Sequence, residues 1–206
     1  MTSNAEATKA LIERATEGDA EALENLLQVA APELRKSLKI DALWNRSLDV
    51  EDVLQVTWLE AFLRIRHLDR RDWEGFLAWL RRVAEHNLID AIRSLERDKR
   101  PNPRHRDTQG PKGESARTLL ISIAGDEVTV GSQAAQAEEL VRLQEAIAAL
   151  PASYRTVVEQ LDLQERAVQE LAEQMGRSTG AIYMLRSRAH DRLRELLELR
   201  RRQSES

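Results

Sequence analysis

"ELAEQMGRSTGAIYMLRSRA", Glu170 to Ala189, sets a tight turn between two segments of helical pattern, the second rich in arginine. Ala172 falls where two crossing helices touch, Gly176 comes four residues later at the turn, and Ile182 and Leu185 face back inward. This is the pattern of a helix-turn-helix, whose second helix enters a DNA major groove. An ordinary helical hairpin has the same spacing. The sequence upstream has to decide between them.

Composition narrows the field first. The chain has 206 residues, few aromatics and abundant Ala, Leu, Glu and Arg, which favours helix over sheet and predicts an all-α protein. There are no cysteines, so disulfides and thiolate metal sites are excluded, and His67, His86, His105 and His190 lack ligand-like spacing, so no metal or cofactor is expected. No apolar run reaches the ~20 residues of a membrane span, and the polar start "MTSNAEATKA" lacks a signal-peptide core, which predicts a cytoplasmic protein. The formal charge of -4 hides an asymmetry. Basic residues crowd into Arg81 to Arg106 and Arg177 to Arg202, whereas Glu6 to Glu24 and Asp49 to Glu60 lean acidic.

Working back from the hairpin, Pro151 opens a helix through Tyr154, Val157, Val158 and Leu161, and Leu140, Leu143, Ile147 and Leu150 begin the same domain, placed at residues 138–206. Residues 101–137 read as a linker broken by Pro and Gly, in which "TLLISIA" (Thr118 to Ala124) either docks elsewhere or packs on its own protein. Residues 1–100 form the first domain. Leu11, Ala15, Ala22, Leu26, Ala30 and Leu34 mark two helices separated at "EGD", Glu17 to Asp19. Asp49 caps a helix with the inward stripe Val50, Leu54, Trp58, Phe62, Ile65, and Leu48 staples onto Val53. A longer stripe, Phe76, Leu80, Val83, Leu88, Ile92, Leu95, predicts one helix interrupted near His86 and Asn87.

Two small helical modules joined by a linker, the second ending in a helix-turn-helix, resemble the sigma-70 family in its shortest form, the extracytoplasmic-function (ECF) sigma factors. "DVEDVLQVTWLEAF" (Asp49 to Phe62) resembles the region-two helix that docks on RNA polymerase, and "FLAWLRRVAEHNLIDAIRSLERDKR" (Phe76 to Arg100) the segment that opens and reads the minus-ten element. "ALPASYRTVV" (Ala149 to Val158), with Glu170 to Ala189, resembles region four, which reads the minus-thirty-five element. The resemblance implies a non-catalytic specificity subunit with core RNA polymerase and promoter DNA as partners, and leaves open an anti-sigma protein as a third.

The residues support each assignment on their own chemistry. Asp49, Glu51, Asp52 and Gln55 put carboxylates and an amide on the outer side of an amphipathic helix, suited to a basic surface or simply to water. The resemblance carries polymerase contact to Asp52 and Gln55, beside Asp49. Val56 stands where many relatives have an acidic residue.

Trp79 and Trp73 beside Arg81, Arg82 and Arg93 combine π-faces with cations, as single-stranded DNA binding requires, although Trp79 also suits the core. His86 occupies the position of a base-holding Asn in relatives, and Asn87 is expected to share that role at a helix break; as helix caps, the pair would be purely structural. Ser178 caps the recognition helix and, with Thr179, suits a phosphate. Tyr183, Met184, Arg186, Ser187 and Arg188 are candidates for the groove or its walls.

A regulator binding double-stranded DNA alone accounts for Glu170 to Ala189 but leaves Asp49 to Arg100 unexplained. An enzyme is disfavoured because no nucleophile–base pair, phosphate-cradling loop or paired-His motif is found.

Overall fold

The computed structural model describes residues 2–98, 112–124 and 133–204, all helices and their connections. The chain divides into two compact units, residues 1–97 and 98–206. The first holds α1 (Thr2–Glu17), α2 (Ala20–Ser37), α3 (Val50–Arg64), a short 3₁₀ turn (Ile65–His67) and α4 (Trp73–Asp98). The second holds α5 (Lys112–Ala124), α6 (Gln133–Ala148), α7 (Ala152–Val157), a wide turn of π type (Val158–Leu163), α8 (Val168–Met175) and α9 (Thr179–Ser204). There is no strand among the described residues, and the fold is all-α.

The helix boundaries follow from local chemistry. Asp19 accepts the Ala22 N–H at 3.0 Å and so starts α2, while Gly18 turns the chain at φ 106. A side chain at Gly18 is disfavoured by that φ, whereas the 2.8 Å approach of a Cβ to Arg66 Nη2 is one that the flexible arginine end can relieve. Asp49 accepts the Asp52 N–H at 2.8 Å to start α3, with Leu48 and Val53 both buried beside the cap.

Two core stripes differ from the apolar reading. In α3 the buried line runs through Val53, Leu54, Val56, Thr57, Glu60, Ala61 and on to Ile65, whereas Phe62 is exposed. In α4 it runs through Leu77, Leu80, Ala84, Asn87, Ala91 and Leu95, at helical spacing. The helix is continuous through His86 and Asn87, so the expected break is absent. The physical reason is a polar pair inside the core. Asn87 Nδ2 donates to Thr57 Oγ1 at 3.1 Å, and Thr57 Oγ1 donates to the Val53 carbonyl at 2.7 Å. Reading apolar letters alone skips Asn87 and shifts the stripe onto Leu88 and Ile92, which are only half-buried.

The expected linker also needs correction. Residues 112–124 form α5, which packs on α6, α9 and the wide turn, and residues 133–137 already belong to α6. Leu119, Leu120 and Ile123 enter the core, an apolar gain that offsets the ordering of a short helix. Residues 99–111 and 125–132, the rest of that expected linker, lie outside the described residues.

Candidate nucleic-acid interface

Three surfaces carry the residues singled out from the sequence. The first is the outer side of α3. Gln55 is exposed there and Asp52 half-buried, while Asp49 spends one carboxylate oxygen on the helix cap. Glu51 is tied to α2 by Arg35, whose Nε and Nη2 donate to it at 2.7 and 3.1 Å, and this hydrogen bond holds the Glu51 carboxyl below its usual value. Val56 is buried and takes no part in this surface. Inside the helix, the buried Glu60 is neutralised by Arg64 at 3.0 Å.

The second surface is a stripe along α4. Arg82, His86, Arg93 and Arg97 recur at intervals of four, seven and four and so share one side of the helix, all exposed, with Ile89 exposed among them. Arg82, His86 and Arg93 enter no ion pair among the described residues, so the stripe keeps its charge facing water. Trp79 is half-buried at its margin, its ring 6.2 Å from that of Phe76, which in turn lies 5.9 Å from Trp73. Core packing and an outward edge are therefore both met by Trp79.

Two residues expected on this stripe are elsewhere. Arg81 points to α2, where Nη2 donates to Glu33 Oε2 at 3.2 Å. Asn87 is fully buried on Thr57 and cannot reach a base without opening the core. Arg97, which the sequence reading left out, continues the stripe four residues past Arg93, and that interval is the signal that identifies it.

The third surface is the hairpin of α8 and α9. Gly176 ends α8 in the left-handed conformation, φ 61 and ψ 39, with its N–H bonded back to Ala172 and Glu173. Ser178 starts α9 by accepting the Ala181 N–H at 3.1 Å, so its hydroxyl acts as the cap. Ile182 and Leu185 are in the core as expected, but Met184 is buried as well, and Tyr183 is nearly so. Thr179 and Ser187 are half-buried.

Both candidate arginines of α9 are held internally. Arg186 donates from Nε and Nη2 to Asp162 Oδ1 at 2.9 and 2.5 Å, and Arg188 from Nη1 to Asp191 at 3.1 Å. Asp162 is only 4% exposed and receives His190 Nε2 on its other oxygen at 2.8 Å. Burial by itself raises the Asp162 carboxyl; the hydrogen bond and charge of His190, and then Arg186, outweigh it and leave the group below its ordinary value. Among the described residues no group of three metal-ligating side chains is found, and no helix is long and apolar enough to cross a membrane.

Known families match both units in sequence. The family model described as Sigma-70 region 2 matches residues 41–98, which include α3 and α4, and that described as Sigma-70, region 4 matches residues 140–193, from α6 into α9. The chain is similar to the ECF RNA polymerase sigma factor SigD of Mycobacterium bovis and of Mycobacterium tuberculosis, 27% identical over 198 residues that cover 95% of this chain and 86% of the relative. With both regions present in order, and a relative of the ECF kind aligned over nearly the whole length, the chain belongs to the sigma-70 family and is an RNA polymerase sigma factor of the ECF group.

Proposed function

We propose that the chain acts without catalysis of its own, in the cytoplasm, by binding core RNA polymerase through α3 and promoter DNA through α4 and the α8–α9 hairpin. Residues 1–100 serve the polymerase and the minus-ten element, and residues 138–206 the minus-thirty-five element. An anti-sigma protein is a further partner that membership of this group suggests.

The observation that carries the reading is the α4 stripe. Arg82, His86, Arg93 and Arg97 stand in line beside Trp79, offering cations to phosphates and a ring edge to an unstacked base. His86 remains available for that base from the exposed side of α4, whereas Asn87 supports the helix from behind through Thr57. On α3, Asp52 and Gln55 are the polymerase contacts, beside the Asp49 cap. On the hairpin, Ser178, Thr179, Tyr183, Ser187 and Arg188 remain the residues nearest the upstream element, and Arg186 joins them only if it exchanges Asp162 for DNA.

Run-off transcription with purified core polymerase on a library of random promoters tests the whole reading. Arg82→Ala with Arg93→Ala is expected to reduce open-complex formation while leaving core binding intact. Asp52→Lys is expected to do the reverse, weakening core binding at moderate salt, where surface charges still act. Promoter selection unaffected by all three substitutions would remove the basis of the assignment.

A further inference from the structure

A helix-turn-helix reads DNA sequence through side chains that reach the groove from the N-terminal end of its second helix. Most of that end is closed in this chain. Ala181, Ile182, Tyr183, Met184 and Leu185 are 0, 0, 9, 0 and 1% exposed, and at about 3.6 residues per turn these consecutive positions go once round the helix. The side chains of this stretch are spent on the core. Of the polar residues that follow, Arg186 is held by Asp162, Arg188 by Asp191, and His190 by the second oxygen of Asp162. What remains on α9 and its cap are the hydroxyls of Ser178, Thr179 and Ser187. Ser178 already serves the Ala181 N–H, and a hydroxyl, which both donates and accepts, suits more than one base pair.

Arg177 is different. It stands between Gly176, which ends α8, and Ser178, which caps α9, at the tip that leads the second helix. Its side chain is partly exposed and, among the described residues, makes neither a hydrogen bond nor an ion pair. The other arginines of the hairpin and its approach are engaged: besides Arg186 and Arg188, Arg166 bonds Gln160 and Gln174, Arg192 bonds Glu195, and Arg194 bonds Asp191. The root of the Arg177 side chain is nonetheless fixed, because its backbone N–H donates to the Ala172 carbonyl at 2.9 Å and the left-handed Gly176 sets the direction in which the chain leaves α8. A fixed root carrying an uncommitted planar fork of donors matches guanine, which presents two acceptors, O6 and N7, in the major groove.

We propose that Arg177 is the specificity-determining residue of the C-terminal unit, reading a guanine of the upstream element through a bidentate hydrogen bond. The inference rests on the reading of α8 and α9 as the part of the chain that meets the upstream element. It makes recognition there narrow, centred on one base pair at the tip of the hairpin, rather than spread along α9.

The test uses the full chain loaded on core polymerase and a promoter library in which the downstream element is fixed and the upstream positions are random. The wild type is expected to favour guanine at one upstream position by about tenfold. Arg177→Ala should flatten that position, and Arg177→Gln should turn its preference to adenine, whose N6 and N7 match an amide. Since the Arg177 side chain supports no other described residue, helicity by circular dichroism and affinity for core polymerase should match the wild type in both variants. A wild-type preference that survives both substitutions overturns the assignment and leaves the hairpin reading through other residues. A loss spread evenly over all upstream sequences also overturns it, because it marks Arg177 as a phosphate contact. A wild type without upstream preference that still requires upstream duplex overturns Arg177 alone; one that is also indifferent to upstream duplex overturns the reading of the hairpin as well.

Discussion

Arg82 and Arg186 lie on helices of equal length, α4 and α9, each of 26 residues, yet the two helices treat their arginines in opposite ways. Along α4 the guanidinium groups of Arg82 and Arg93 face water on a single stripe, while Glu33 is engaged by Arg81 and Glu51 by Arg35. Along α9, Arg186 is drawn onto a buried aspartate of the preceding turn and Arg188 onto Asp191 three residues ahead. For Arg186 the difference is a buried carboxylate supplied by another element; Glu85 and Glu96, three residues past Arg82 and Arg93, form no such pair among the described residues. One surface is ready for a polyanion as it stands; the other must give up ion pairs before its cations reach a phosphate, which lowers net affinity and sharpens dependence on the right partner.

The comparison assumes two separately folded units, and the sequence supplies a way to break it. All four tryptophans lie at positions 44 to 79, in the first unit, and both tyrosines, Tyr154 and Tyr183, in the second. Tryptophan fluorescence therefore follows the first unit alone. Asn87→Asp puts a charge beside Thr57 in the core, a change expected to cost about 3–5 kcal/mol, as an uncompensated buried charge does. Urea unfolding should show the tryptophan transition moving far to lower urea while tyrosine circular dichroism stays put. If both transitions shift together, the units are not independent and the contrast between them loses its meaning.

Asp162→Asn sharpens the contrast from the other side. It leaves Arg186 and His190 without their carboxylate, a loss of about 1.5–3 kcal/mol for hydrogen bonds to a charged group, confined to the C-terminal unit. The pH dependence has a definite sign. The folded carboxyl lies below its ordinary 3.8, so its contribution is complete above that value and is lost as pH falls through the lower folded one. Thermal melts across this acid range should flatten in the variant relative to the wild type. An unchanged acid limb would mean that Asp162 does not bear the pair.

Smaller effects isolate single causes. Gly176→Ala adds a Cβ that meets no atom within 4 Å, so its whole cost is the left-handed backbone, about 1 kcal/mol, again visible only in the C-terminal transition. The weakest change is Glu51→Ala, which removes an exposed ion pair with Arg35. Its effect on the tryptophan midpoint is expected to vanish in high salt, because such pairs contribute little and are screened.

How far the sequence could be read depends on whether its signals are local. Asp19, Asp49, Gly176 and Ser178 each act within three or four residues of their own position, and each marks the helix boundary that its chemistry suggests. The set Asn87, Thr57 and Glu60 was hidden because polar letters in a stripe look like its edge; only their partners, Asn87 with Thr57 and Glu60 with Arg64, make them core. Asp162 meets Arg186 and His190 across 24 and 28 residues, a separation that no periodicity encodes. The same holds for Ser115 and Glu165, 50 residues apart, so a short apolar run in a Pro- and Gly-rich stretch gave no sign of its docking place. At the candidate site, the α4 stripe was legible through Arg82, His86 and Arg93, whereas the fate of the α9 arginines was not.

The bond between Asn87 and Thr57 also has a geometric consequence. Apolar contacts let one helix turn or slide on another at little cost, whereas a buried directional bond permits a single rotation of α4 on α3. The outward sides of the two helices, with Gln55 on one and Arg82, His86 and Arg93 on the other, are thereby held at one fixed angle within the first unit.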